Sequence, residues 1–230
     1  MSDAPLDVAK VLSGFSGEVP LFPLPSLVLL PDTLAPLHIF EDRYRRMTAD
    51  ALDGERLIGV SLLKPGWETA YQGAPPVHEV IGLAAILTHE RLKDGRYKVL
   101  LYGVARARIL QEVASEPYRR ARVEVVPDTV PVTRERELDE RLHRALDMLP
   151  GRRGRVGKMR MLATQVRGAG GGPGRLVDAM AEAADLEPDE RYRVLAEPDV
   201  LRRLDLFMEA LDRRSRTDNE LPARADPRSN

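Results

Sequence analysis

The chain has 230 residues, 43% of them hydrophobic and 31% charged, which is the composition of an ordinary folded protein large enough to bury about 70% of its unfolded surface. It has no cysteine, so disulfides, thiolate metal sites and cysteine nucleophiles are excluded. With 35 basic and 36 acidic residues the net charge is -1, and no overall field draws the chain onto nucleic acid or an anionic membrane.

The start, Met1-Ser2-Asp3-Ala4-Pro5, has neither a basic nor an apolar run, so no signal peptide is expected, and no apolar stretch is long enough to span a bilayer. Residues 1–16 read as a flexible leader. Residues 19–40 carry five prolines, which bar a helix and predict short extended pieces at 19–23, 26–30 and 35–39. The period then switches: from Glu41 to Leu52, Tyr44, Met47, Ala51 and Leu52 share one helical face, with Asp42, Arg43, Arg46 and Asp50 on the other, and Gly54 as the stop. Residues 57–63 read as a buried strand. Lys64 to Pro76 read as a long loop holding Tyr71 and the only tryptophan, Trp67.

Residues 80–92 and 96–102 flank Lys93-Asp94-Gly95, a strong hairpin signal because glycine accepts a positive φ. Ala105–Ile109 and Ala121–Val125 alternate small or apolar with charged residues, as half-buried strands do. Seven or eight strands with one helix among them predict a curled sheet or small barrel up to residue 130. Beyond it the spacing is helical. Leu138, Leu142, Leu146 and Leu149 form one stripe, and Val156, Met159, Leu162 and Val166 a second. A third helix carries Leu176, Val177 and Met180. Pro188 and Pro198 stand at first helical positions, and Val200, Leu201, Leu204, Phe207, Met208 and Leu211 mark the last helix. The predicted organisation is α+β: a β-rich part over 17–130, a helical subdomain over 131–214 and a disordered tail over 215–230.

Catalytic signatures fail in detail. His89-Glu90-Arg91-Leu92 meets Lys93 where a metalloprotease needs its second histidine, and Gly14-Phe15-Ser16-Gly17 meets Glu18 where a nucleophile elbow needs glycine. Gly157-Lys158 ends like a phosphate loop, but Arg152 replaces its first glycine and Met159 its magnesium-binding hydroxyl. The glycine-rich run 168–174 joins two helices, whereas a dinucleotide fingerprint follows a strand. No metal, cofactor or catalytic residue is therefore expected. Five arginines and lysines within 152–160 are the one basic cluster, without interleaved aromatics.

Three ordered runs carry a family likeness: Pro20-Leu21-Phe22-Pro23-Leu24, Val28-Leu29-Leu30-Pro31, and Pro36-Leu37-His38-Ile39-Phe40-Glu41-Asp42-Arg43-Tyr44-Arg45. Ile58-Gly59-Val60, the 80–86 strand, Asp94–Leu100, Gly103–Ile109, Pro117-Tyr118 and Asp199–Leu204 follow in the same order. Together, over roughly 17–212, they resemble the amino-terminal, substrate-binding domain of Lon proteases and the short stand-alone proteins built from it. The resemblance implies a partly open β-barrel of the pseudouridine-synthase-and-archaeosine-transglycosylase-like (PUA-like) type with an appended helical subdomain, contact with polypeptides, and neither ATPase nor peptidase activity in this chain. A cytoplasmic, non-catalytic binding module is the resulting expectation, with unfolded or partner polypeptides as ligands. Asp42, Arg43 and Arg46 on the helix face and Trp67 and Tyr71 on the loop are the candidate contact residues. The alternative is RNA binding through the barrel and the 152–160 cluster, against which the charge balance argues.

Overall fold

The computed structural model of the chain describes residues 6–70, 73–130, 135–148, 172–184 and 186–220. Six strands are present among them: β1 (Glu18–Leu24), β2 (Leu34–Ile39), β3 (Leu57–Leu62), β4 (Val80–Arg91), β5 (Tyr97–Val113) and β6 (Arg120–Val125). They pair in the order β2-β5-β4-β3-β1-β6, and β6 returns to β5, so five strands form a ring from which β2 projects. β1 and β3 are parallel and all other pairs antiparallel. The length of β5 makes this possible. β4 follows one of its edges, while the other edge is shared by β2 along Tyr97–Tyr102 and by β6 along Ala107–Val113. Register shifts at Leu83/Ala84, Ile86/Thr88 and Ile109/Gln111 supply the extra residues that let the long strands bend.

The hairpin forms as its turn chemistry dictates, with Gly95 at φ +83° and the Leu92 amide donating to Arg96 at 2.8 Å. The separate strands expected at 96–102 and 105–109 are one continuous β5. The strand expected at 26–30 does not exist. Between Pro25 and Pro31 the chain forms an irregular strap whose Val28, Leu29 and Leu30 are buried. It crosses the sheet at Gly82 of β4 and Gly103 of β5, where a Cβ would collide with the Leu29 and Leu30 carbonyl oxygens. The Asp32 amide then donates to the Gly103 carbonyl at 2.8 Å and ties the strap down.

Side-chain alternation sorts the core. Val19, Leu21, Leu57, Ile81, Leu83, Ala107, Ala121 and Val123, drawn from all five ring strands, form one cluster, the inside of the ring. Phe22, Ile58, Val60, Ala84, Ile86 and Val99 point the other way and pack under α2 (Asp42–Asp53), which contributes Tyr44, Met47 and Ala51. The helix thus starts one residue later than its predicted span and ends at Gly54 as expected.

The leader is not featureless. Asp7 accepts from the Lys10 amide and caps α1 (Val8–Ser13), and Val8, Val11, Leu12 and Phe15 pack against the ring's interior cluster. Deleting residues 1–15 is therefore expected to cost about 2 kcal/mol, from four half-buried apolar side chains. An unmoved urea midpoint for the truncated chain would show that α1 adds nothing.

The helices are α3 (Glu135–Met148), α4 (Pro173–Ala183), α5 (Pro188–Ala196) and α6 (Val200–Glu220). Leu138, Leu142, Leu176, Val177, Met180, Leu201, Leu204 and Phe207 bury against one another and against Val28, Leu30, Leu62 and Val80 of the strand region. Pro188 opens α5 as expected. Pro198 instead precedes α6, and Asp199 caps it, accepting from the Leu201 and Arg202 amides at 2.9 and 3.0 Å. α6 runs to Glu220, so residues 215–220 are helical where a disordered tail was expected. The stripe Val156–Val166, the 152–160 cluster and residues 221–230 lie outside the described residues.

Candidate functional site

Asp42 and Arg43 open α2 where the chain leaves β2, and both line a cleft of about 650 Å³ together with Glu41, Tyr118 and Arg119. Four of its charged residues, Glu41, Asp42, Arg43 and Arg119, are matched in place. Asp42 accepts from Arg45 at 2.7 Å, Arg43 pairs with Glu41 at 3.0 Å and lies 4.6 Å over the Tyr44 ring, and Arg119 pairs with Glu112 and donates to the Pro75 carbonyl at 2.7 Å. Tyr118 donates to Asp50 at 2.8 Å, and burial, aided by that bond, pushes its phenol above the usual range. The cleft thus presents ion-paired side chains and the Tyr118 phenol bonded to Asp50. Arg46 does not line it. It pairs with Asp50 at 3.0 Å on the exposed helix surface, an i,i+4 pair worth a few tenths of a kcal/mol.

Trp67 stands elsewhere. The predicted open loop contains a 3₁₀ turn, Trp67–Ala70, and its stem is zipped by the Lys64 amide donating to the Pro76 carbonyl at 2.9 Å and the His78 amide to Leu62 at 2.9 Å. Trp67 is half-buried and lines a cleft of about 420 Å³ between this turn and the start of α5. The five predicted contact residues thus do not form one site. Asp42 and Arg43 share a cleft, Arg46 sits one turn on, Trp67 faces the helices, and Tyr71 lies outside the described residues.

Sequence reading missed the free edge. Among the described residues β2 pairs with β5 alone, and the Gly103 amide donates to the Thr33 carbonyl, so odd-numbered residues turn their backbone to β5 and Leu34, Pro36 and His38 turn theirs outward. Leu34 is 52% and Phe40 62% exposed, at the two ends of this edge. Between them a groove of about 530 Å³ is lined by Pro36, His38, Thr88, Glu90, Lys98 and Leu100. Leu34-Ala35-Pro36-Leu37-His38-Ile39-Phe40 is apolar at almost every position, which in a sequence reads as a strand buried on both faces.

Among the described residues no group of His, Cys, Asp or Glu is placed to hold a metal ion, and no helix is long and apolar enough to cross a membrane. Residues 18–213 match the family described as the ATP-dependent protease La (LON) substrate-binding domain. The chain belongs to that family. It is 26% identical over 196 residues to the Lon protease of Dictyoglomus thermophilum, covering 81% of this chain and 23% of that protein. It is 29% identical over 199 residues to the Lon protease of Heliobacterium modesticaldum, covering 85% and 24%. The chain therefore spans about a quarter of the length of the curated relatives it matches. Two solved structures share the fold. A Lon N-terminal domain protein from Xanthomonas campestris gives a TM-score of 0.53 at 23% identity, over 84% of this chain and 97% of that one. The N-terminal domain of a Mycobacterium avium complex Lon protease gives 0.60 at 17% identity, over 85% and 98%.

In this Lon-family domain the matched span takes in both strands and helices, and a buried charge cluster joins them. Arg106 of β5 and Arg203 of α6 are buried around Asp178 of α4, at 2.9 and 3.2 Å, and both also reach Asp128, which follows β6. Their remaining donors are used as well: Arg106 Nε gives to the Leu195 carbonyl at 3.0 Å and Arg203 Nε to Glu197 at 2.8 Å. Burial pushes the Asp178 carboxyl up to about 6 against the downward pull of the two guanidiniums. Through the Leu195 and Glu197 carbonyls the cluster ties the C-terminal end of α5 to β5 and α6.

Proposed function

We propose that the chain is a non-catalytic module that recognises extended or unfolded polypeptide segments by side-chain contact. The exposed apolar edge of β2 carries the reading: Leu34 and Phe40 alternate onto the side of Pro36 and His38 and flank the groove. His38 and Phe40 keep their rings 6.4 Å apart in an edge-on arrangement, which extends that side to the start of α2. Asp42 and Arg43 continue it as a polar rim, and Arg46 lies one helical turn beyond. Pro36 lacks the amide that an added strand would need at the middle of the edge, so apolar side chains seated in the groove, not an unbroken backbone ladder, bind the segment. Such contact tolerates many sequences, as a module for unfolded clients requires. The family's description as a substrate-binding domain supports the reading, as do the Lon proteases among its relatives. The PUA-like character of the barrel, the absence of enzymatic activity and a cytoplasmic setting belong to the same proposal. The alternative RNA reading rested on the barrel and on residues 152–160, and the latter lie outside the described residues.

The test is binding of a fluorescein-labelled unfolded casein, followed by anisotropy. The double variant Leu34→Ser, Phe40→Ser is expected to weaken binding about tenfold, or about 1.4 kcal/mol, with a melting temperature nearly unchanged because both side chains are on the surface. Binding should also fall with salt far less steeply than contact with phosphates would, since apolar contact releases no counterions. An unaltered affinity in the double variant would remove β2 from the site.

A further inference from the structure

We infer that the cleft between the Trp67 turn and α5 receives a cationic side chain, arginine or lysine, of a bound polypeptide. This deepens the polypeptide-recognition reading and rests on it. The floor of the cleft is apolar, built from Pro25, Leu62, Leu63 and Pro65, with Pro188 opposite. Trp67 contributes an indole that is only half-buried. The rim is acidic: Glu187 and Asp189 both line the cleft, both are exposed, and neither forms an ion pair among the described residues. Glu190, beside them, differs in this respect because Arg213 holds it at 3.1 Å.

An aromatic ring next to two carboxylates is the chemistry that recognises a cation carried on an apolar stem. The ring face attracts the charge, the prolines and leucines take the methylene chain, and the carboxylates supply the counter-charge. An anionic or neutral segment gains nothing from the rim. The positive end of α5 opposes a cation, but two full negative charges outweigh the half charge of a helix terminus. Lys64 does not line the cleft. Its charge acts instead on His78, whose pKa is lowered by burial and by Lys64, with Asp189 pulling the other way. His78 in turn stacks on Tyr192 of α5 at 4.0 Å, which backs the acidic rim with a packed wall.

Trp67 is the only tryptophan of the chain, so its emission reports on this cleft alone. The experiment uses two labelled extended peptides with the same apolar residues, one carrying arginine and its twin glutamine at that position, titrated into the full chain. The arginine peptide is expected to bind about tenfold tighter and to shift Trp67 emission, whereas the twin leaves emission nearly unchanged. The double variant Glu187→Gln, Asp189→Asn is expected to abolish the difference between the twins. Equal affinity of both peptides for the unaltered chain, or an arginine preference that survives the double variant, overturns this inference and leaves the β2 reading standing. Failure of both peptides to bind overturns both.

Discussion

Arg203→Met is expected to lower the unfolding free energy by roughly 3–5 kcal/mol, because it strands a buried carboxylate beside a single remaining guanidinium. The exposed pair of Arg46 with Asp50 provides the contrast. Arg46→Ala should cost only a few tenths, although the two ion pairs have similar distances. Urea denaturation of the two variants reads the difference directly, and a loss below about 1 kcal/mol for Arg203→Met would mean that the helices dock without the cluster. A pH profile gives a second readout. The Asp178 carboxyl is raised to about 6 in the folded chain, against about 4 when unfolded. Between those values the folded protein holds a proton that the unfolded chain has released. Stability from this group is therefore full below about pH 4 and declines as pH rises through about 6. Asp178→Asn should remove that slope, so the stability difference between wild type and variant should change across the window. A flat difference would show that Asp178 titrates as an ordinary carboxylate.

Gly103→Ala and Gly82→Ala should each destabilise the chain by about 3 kcal/mol and lower the melting temperature by about 10 °C. In both positions the new Cβ meets a backbone oxygen of the 26–30 strap, and a backbone oxygen cannot rotate away. Gly59→Ala is the control. Its Cβ would stand 2.7 Å from Ile81 Cδ1, the far end of a flexible side chain, so about 1 kcal/mol is expected there. A melting temperature for Gly103→Ala within a few degrees of wild type would mean that the strap lifts off at little cost.

These two glycines also mark where sequence reading stops. Gly82 and Gly103 belong to the runs that carry the Lon likeness, but their reason lies in Leu29 and Leu30, far away in sequence, whose apolar run between prolines has the composition of a strand. The hairpin and α2 were legible because each is fixed by neighbours: Asp94-Gly95 sets one turn, and one helical stripe sets the other's buried face. α1 was missed because six residues give too short a period, although Asp7, Val8, Val11 and Leu12 spell a cap and a stripe. At the site, Asp42 and Arg43 were placed on an exposed helix start, and they do line a cleft. Grouping them with Trp67 required knowing which elements pack together, which no local spacing encodes. The open face of β2 was hidden for a simpler reason: an apolar residue has the same letter whether a neighbour covers it or not.

The closed ring also sets an order of events. Glu18 of β1 bonds to Arg120 of β6 across 102 positions, and the other neighbour of β1, β3, comes only after β2 and α2. As the chain leaves the ribosome, β1 must wait for both partners with Val19, Leu21 and Phe22 uncovered. Closure over such separations is slow compared with the hairpin β4–β5, which needs only its own turn. During that interval Pro20 and Pro23 make β1 a poor template for a neighbouring nascent chain, since each removes an amide that a foreign strand would use. The prolines that punctuate the first strand thereby guard it while it is alone.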